Sequence, residues 1–241
     1  MSNADGTGHA VVVCDHAANR IPRRLGGLGL DAAALASHIA WDPGALVVAT
    51  QLARRLDAPL VASGYSRLVI DCNRPLVGEE SIAASSAGVV VPGNQSVDAA
   101  ERDIRTADLF VSYHRAIADV LDRRAAAGRP SLLLSIHSFT PVLNGSRRPW
   151  EVGFAYGTDA RLALRLLEVA RSSGQLVIGH NQPYSVDTTT DYTLPVHGEQ
   201  RGLPHVLVEI RQDLLTTAEN CTEWAAWLAA TYRGSEPPFV G

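Results

Sequence analysis

Short apolar runs alternate along this chain with longer stretches in which apolar residues recur every three or four positions. The runs at 11–14, 59–62, 68–72, 132–136, 152–155, 176–178 and 206–210 are rich in β-branched and aliphatic residues, which predicts buried strands. The amphipathic stretches predict helices over 43–56, 97–127, 160–173 and 219–232. Pro43 suits a first helical turn, with Asp42 before it as the N-cap. In the longest stretch Ala100, Ile104, Ala107, Val111, His114, Ile117, Ala118 and Leu121 fall on one stripe, expected to lie buried against the sheet. Strands alternating with helices predict an α/β sandwich with helices on both faces of the sheet. Three connections, at about 76–96, 140–149 and 179–202, have the length of lids or binding walls. The last is dense in polar groups, among them His180, Asn181, Tyr184, Asp187, Asp191, Tyr192 and His197.

Three of the apolar runs end in a residue that can bind a metal or work beside one. The apolar stretch at 10–14 leads into Asp15 and His16, that at 131–136 into His137 and that at 205–208 into Glu209. In open α/β sheets the residues at the carboxyl ends of strands line the ligand crevice. Two imidazoles and a carboxylate delivered there from distant segments point to a metal-dependent hydrolytic site.

Each motif also has a plainer reading. Asp15 beside His16 can orient an imidazole ligand or simply cap a turn. His137 is an interior-strand histidine, and a satisfied core histidine is the simpler account. A serine hydrolase is disfavoured because no GxSxG elbow occurs; Gly64-Tyr65-Ser66 lacks the second glycine. Glu209 and Arg211 lie two apart on one strand and so on one face, where they either pair or work, Glu209 as a base. Arg67, Asn73 and Arg74 surround the run at 68–72. They are suited to holding carboxylates, or else fix a turn through an ion pair with Asp71. Asp42 reads locally as a cap, yet a site with two histidines needs a third ligand.

Composition narrows the field. At 241 residues and 46% hydrophobic, the chain suits one domain over 1–241. With 21 basic and 25 acidic residues its formal net charge is −4, which argues against nucleic acid or a membrane surface as partner. Cys14, Cys72 and Cys221 include no CxxC pair, so neither a disulfide framework nor a zinc knuckle is indicated. The stretch 1–8 is polar and no apolar run approaches spanning length, which makes the cytoplasm the expected location.

Taken as an ordered set, several segments resemble the N-formylglutamate amidohydrolase family: CDHAANRIP (14–22), HIAWDPGA (38–45), SRLVIDCNRP (66–75), the YH of Tyr113-His114, SIHSFTP (135–141), the PYS of 183–185 with the later His197, and VEIRQDL (208–214). The resemblance implies a three-layer α/β sandwich with a mixed, mostly parallel sheet, similar to zinc exopeptidases and aspartoacylases (phosphorylase/hydrolase-like). It implies Zn2+, or another divalent transition metal, on His16 and His137, with Glu209 as general base. Asn73 and Arg74 are similar to the pair with which aspartoacylases hold a substrate carboxylate. The exopeptidase HxxE pattern is broken, because Asn19 stands three residues after His16. Asp42 is the first candidate for the third ligand and Asp15 the second. The expected activity is hydrolysis of an N-acyl amide on a small anionic amino acid such as N-formyl-glutamate. Arg67, Arg74 and Arg211 would hold carboxylates, and His197 or Tyr184 would steady the oxyanion. The alternatives are a non-catalytic binder of an acidic metabolite, which needs the arginines but not His16, His137 and Glu209 together, and a carboxypeptidase-like peptidase.

Overall fold

The computed structural model describes residues 1–174 and 176–235. In chain order the strands are β1 (Ala10–Cys14), β2 (Leu60–Ala62), β3 (Ser85–Ser86), β4 (Val89–Val90), β5 (Leu132–Phe139), β6 (Val142–Leu143), β7 (Ser146–Arg147), β8 (Val152–Ala155), β9 (Ile178–His180) and β10 (His205–Arg211). The helices are α1 (Ala32–Ala36), α2 (Ala45–Arg55), α3 (Ala99–Arg105), α4 (Ser112–Ala126), α5 (Arg161–Ser172) and α6 (Ala218–Gly234). Six strands form one sheet in the order β2-β1-β5-β10-β8-β9, and β3-β4 and β6-β7 are separate small hairpins. The β10–β8 pairing is antiparallel and the other four pairings of the sheet are parallel. The sheet is therefore mixed and mostly parallel, as expected.

Strand alternation assigns the two faces. Val12, Leu134, Ile136, Phe154, Val208 and Ile210 enter one core cluster with Val48, Leu52, Leu162, Leu166, Ala225 and Leu228 of α2, α5 and α6. The intervening residues Val11, Val13, Leu133 and Leu207 meet Tyr113, Ile117, Val120 and Leu121 of α4 on the other face. Burial on both faces explains why the central strands read as near-continuous apolar runs. The α4 face turns polar toward the carboxyl ends: Asp15 continues the Val11–Val13 side, and Ser135, His137 and Glu209 continue that of Leu133 and Leu207. Among the described residues no helix is long and apolar enough to cross a membrane.

Four expectations require correction. Residues 68–72 form turns rather than a strand. Ser66 Oγ accepts from the Leu68 amide (3.1 Å) and Asp71 Oδ1 from the Asn73 amide (2.8 Å), local bonds that compete with a ladder. Leu68 and Val69 then fill a satellite cluster beside Ile39 and Leu28. The strand expected at 176–178 begins at Ile178 and runs to His180. The long helix is continuous in backbone but contains a π-helical segment, Thr106–Val111. That wider turn rotates the buried face, so Ala100, Ile104, Ala107 and Val111 are exposed while Arg105, Phe110 and Tyr113 are buried. Lastly, Asp42 is not the cap of α2. Gly44 takes that position at φ 82°, and it makes no side-chain capping bond.

Candidate metal centre and its cavity

β5 runs three residues past the predicted end, so His137 lies inside the strand, directly opposite Glu209 in the register with β10. His16 follows β1 by two residues, and Asp42 is tethered to it by the Asp42 amide donating to the His16 carbonyl at 3.0 Å. His16, Asp42 and His137 are each at most 4% exposed, and one ligand atom from each lies within 4.8 Å of the others. Both Nδ1 atoms face the same carboxylate oxygen: Asp42 Oδ2 is 3.3 Å from His16 and 2.8 Å from His137.

The opposite ring atoms are held as firmly. His16 Nε2 meets Asp71 Oδ1 at 2.7 Å, and His137 Nε2 meets Asp15 Oδ2 at 2.9 Å. A carboxylate behind each imidazole fixes its orientation and raises its basicity, the arrangement found behind histidine ligands of metals. Asp15 is itself anchored by Tyr113 Oη (2.9 Å), Thr193 Oγ1 (2.6 Å) and Ser135 Oγ (3.1 Å), which donate to it. Asp71 accepts from Arg67 at 2.7 and 3.0 Å.

These donors fit a divalent cation. Three buried carboxylates, Asp15, Asp42 and Asp71, surround two imidazoles and Arg67. With both imidazoles neutral, Arg67 offsets one negative charge, and the remainder matches a dication. Burial alone would favour neutral imidazoles, yet the carboxylates overcome it: Arg67 and burial lower His16 while Asp71 and Asp42 raise it to a net increase. His137 ends well above its usual value through Asp15 and Asp42. Burial pushes Asp15 and Asp42 up, but the two imidazoles hold both far below the ordinary carboxylate range. The local field attracts positive charge at the point where three ligand atoms converge.

A cavity of about 200 Å³ opens on this group. Glu209 lines it, buried, with Oε2 unpartnered; burial, with the charge of Asp42, outweighs His137, His16 and Arg148 and raises its carboxyl to about 7. Arg67, Asn73, Arg74 and Tyr184 also line the cavity. The Asn73 amide is committed to the polar loop, accepting from the Tyr192 and Thr193 amides and donating to Asp191 at 3.1 Å. Arg74 reaches Asp191 at 3.0 Å and the Thr190 carbonyl at 3.1 Å. Tyr184 Oη accepts from Arg148 Nη1 at 2.7 Å.

Two expected site residues lie elsewhere. His197 sits on a π-helical turn, Pro195–Glu199, and its Nε2 meets His114 Nδ1 at 3.0 Å in a stacked pair that does not line the cavity. Arg211 donates to Asp213 at 2.8 Å and to the Pro149 carbonyl at 3.2 Å, outside the cavity, and does not pair with Glu209. Of the alternative ligands, Asp15 stands behind His137 and Asn19 donates to the Leu35 carbonyl at 3.0 Å. Sequence reasoning missed His38 and Arg148, which line the cavity with His38 Nε2 and Arg148 Nη2 unpartnered. It also missed Asp71 and Tyr113 as supports of the histidines. Nothing in the run Ser146-Arg147-Arg148-Pro149 distinguishes the inward arginine from its exposed neighbour.

Fold and site define a class: an α/β protein with a buried His-Asp-His group and a free carboxylate at the carboxyl ends of its central strands. The chain belongs to the N-formylglutamate amidohydrolase family, whose profile matches residues 8–216. No curated protein matches it. Its fold is similar to the crystal structure of a gene product from Agrobacterium tumefaciens, with a TM-score of 0.94 at 39% identity over 98% of this chain and 93% of that one. It is also similar to N-formylglutamate amidohydrolase from Ralstonia eutropha, with a TM-score of 0.62 at 15% identity over 95% of this chain and 93% of that one. At that identity the second likeness speaks to fold.

Proposed function

We propose that this protein is a metal-dependent amidohydrolase that removes the acyl group of a small anionic N-acyl amino acid, with N-formyl-glutamate as the reference substrate. The observation that carries the reading is a buried carboxylate with a free oxygen, Glu209, held one strand away from a donor group suited to a dication. Family membership supports the amide-bond chemistry.

His16, His137 and Asp42 would hold the ion, zinc first among the divalent transition metals, since imidazole and carboxylate suit it. When bound, it supplies Lewis acidity toward the acyl oxygen and lowers the pKa of water in the site. Asp71 and Asp15 hold the two imidazoles by their Nε2 atoms, with both Nδ1 atoms facing Asp42 Oδ2. Glu209 Oε2 takes a proton from the attacking water as the oxygen–carbon bond forms. It passes that proton to the amide nitrogen as the carbon–nitrogen bond breaks, leaving a carboxylic acid and a free amine. The cavity, closed beneath by the sheet and walled by Phe139, Thr140 and Tyr184, holds the amino-acid portion.

Glu209→Gln tests the assignment. With metal content unchanged, turnover of N-formyl-glutamate is expected to fall by about a hundredfold or more. Full turnover in a metal-loaded variant removes Glu209 as the base. Equal activity of metal-stripped and zinc-loaded wild type removes the metal mechanism.

A further inference from the structure

Three arginines line the cavity, and their charges are not equally available. Arg67 is committed to Asp71 through two bonds and stands 3.7 Å from Asp42. Arg74 is paired with Asp191 at 3.0 Å and Glu80 at 3.4 Å. Arg148 forms no ion pair among the described residues, although it is only 8% exposed. Its Nε donates to the Thr140 carbonyl and its Nη1 to Tyr184 Oη, both at 2.7 Å, while the rings of Phe139 and Tyr184 lie 4.9 and 5.3 Å from the guanidinium carbon. Those contacts fix the plane of the group and leave Nη2 buried without a hydrogen-bond partner.

Its charge is felt by Glu209 across the cavity, but among the described residues no carboxylate lies within ion-pair distance of it. A buried cation with no ion pair is costly, and a guanidinium is shaped to take a carboxylate. We propose that Arg148 is the carboxylate anchor of this cavity, and that the site recognises one substrate carboxylate by charge, so that its substrates are N-acyl amino acids with a single obligatory carboxylate. This rests on the hydrolase reading only for the nature of the acyl group. A second carboxylate meets arginines already neutralised by Asp71 and Asp191, so it adds little.

The test uses N-formyl-glutamate, its α-amide and its side-chain amide, each with the zinc-loaded wild type, Arg148→Gln and Arg148→Lys. In the wild type one monoamide should retain kcat/KM within about tenfold of the parent, and the other should fall by about a hundredfold or more, chiefly through KM. Arg148→Gln should weaken the parent to nearly the level of that poor monoamide, so that the gap between them closes to under about tenfold. Arg148→Lys, which keeps the charge but not the fork, should restore part of it. Equal losses for both monoamides in the wild type, or an undiminished gap in Arg148→Gln, overturn the proposal. If the wild type turns over none of the three, the hydrolase reading fails. Calorimetric titration of the same compounds into the zinc-loaded proteins then decides the question: the same pattern in Kd supports the anchor, and equal Kd for wild type and Arg148→Gln overturns it. Metal content and thermal unfolding of each variant separate lost recognition from a collapsed 140–149 segment.

Discussion

At His137 two carboxylates occupy the two ring nitrogens, Asp42 at Nδ1 and Asp15 at Nε2. Only the Asp42 side converges with His16, so Asp15 acts by holding the ring, with Tyr113, Thr193 and Ser135 holding Asp15 in turn. Asp15→Asn keeps the size and some of those bonds but removes the charge behind the imidazole. Zinc affinity, measured by competition with a chelator, is expected to fall by about 10- to 100-fold. An unchanged affinity would show that the ring needs no such support. Asp71→Asn should act alike on His16, with the added consequence that Arg67 loses the negative charge that receives both of its donors.

At the scale of elements, the site depends on where strands and helices begin and end. β5 and β10 run side by side in register, which sets His137 opposite Glu209 without any loop between them. The turn into α2 is more demanding, because it must point Asp42 away from capping and toward the histidines. Gly44 makes this turn at φ 82°, and a Cβ there would come within 2.4 Å of the Leu215 Cβ. Gly44→Ala is therefore expected to cost about 2–3 kcal/mol, from backbone strain and the overlap with Leu215. Urea unfolding at fixed metal content should show the lowered midpoint; a variant as stable as wild type would mean that the turn relaxes freely.

For the molecule as a whole, the two faces of the sheet carry different tasks: one is closed by α2, α5 and α6, and the other opens at its carboxyl end into the cavity. His114 and His197 are buried outside the lining of that cavity. Burial, reinforced by the neighbouring His114, lowers His197 from 6.5 to about 4, and burial lowers His114 as well. Because the unfolded chain takes up a proton below pH 6.5 while the native His197 does not, stability from this residue is full above 6.5 and lost as pH falls toward 4. The loss amounts to on the order of 3 kcal/mol at most. His197→Gln, which does not titrate, should flatten that limb when both proteins are unfolded in urea with metal stripped. Parallel pH profiles for the two proteins would exclude His197 as the cause.

What was legible in the sequence follows from local chemistry. The α/β order was readable because strands buried on both faces must be apolar throughout, and the helices between them must be amphipathic. His16, His137 and Glu209 stood out because each follows or closes such a strand, and Asp42 because a site with two histidines needs another donor. Other features were decided only by tertiary structure. The run at 68–72 has a strand's composition, but bonds from Ser66 and Asp71 turn it, a competition that apolar patterning does not encode. His197 and Arg211 have suitable chemistry and lie on suitable segments, yet packing against His114 and pairing with Asp213 carry them away from the cavity. Arg148, Asp71 and Tyr113 act through partners apart in the chain, such as Tyr113 and Asp15, which stand 98 positions from each other. Sequence periodicity sets which face of an element a side chain occupies. The long-range pairing of charges in a buried space sets which of those side chains is left free to act, and only the folded chain brings the partners together.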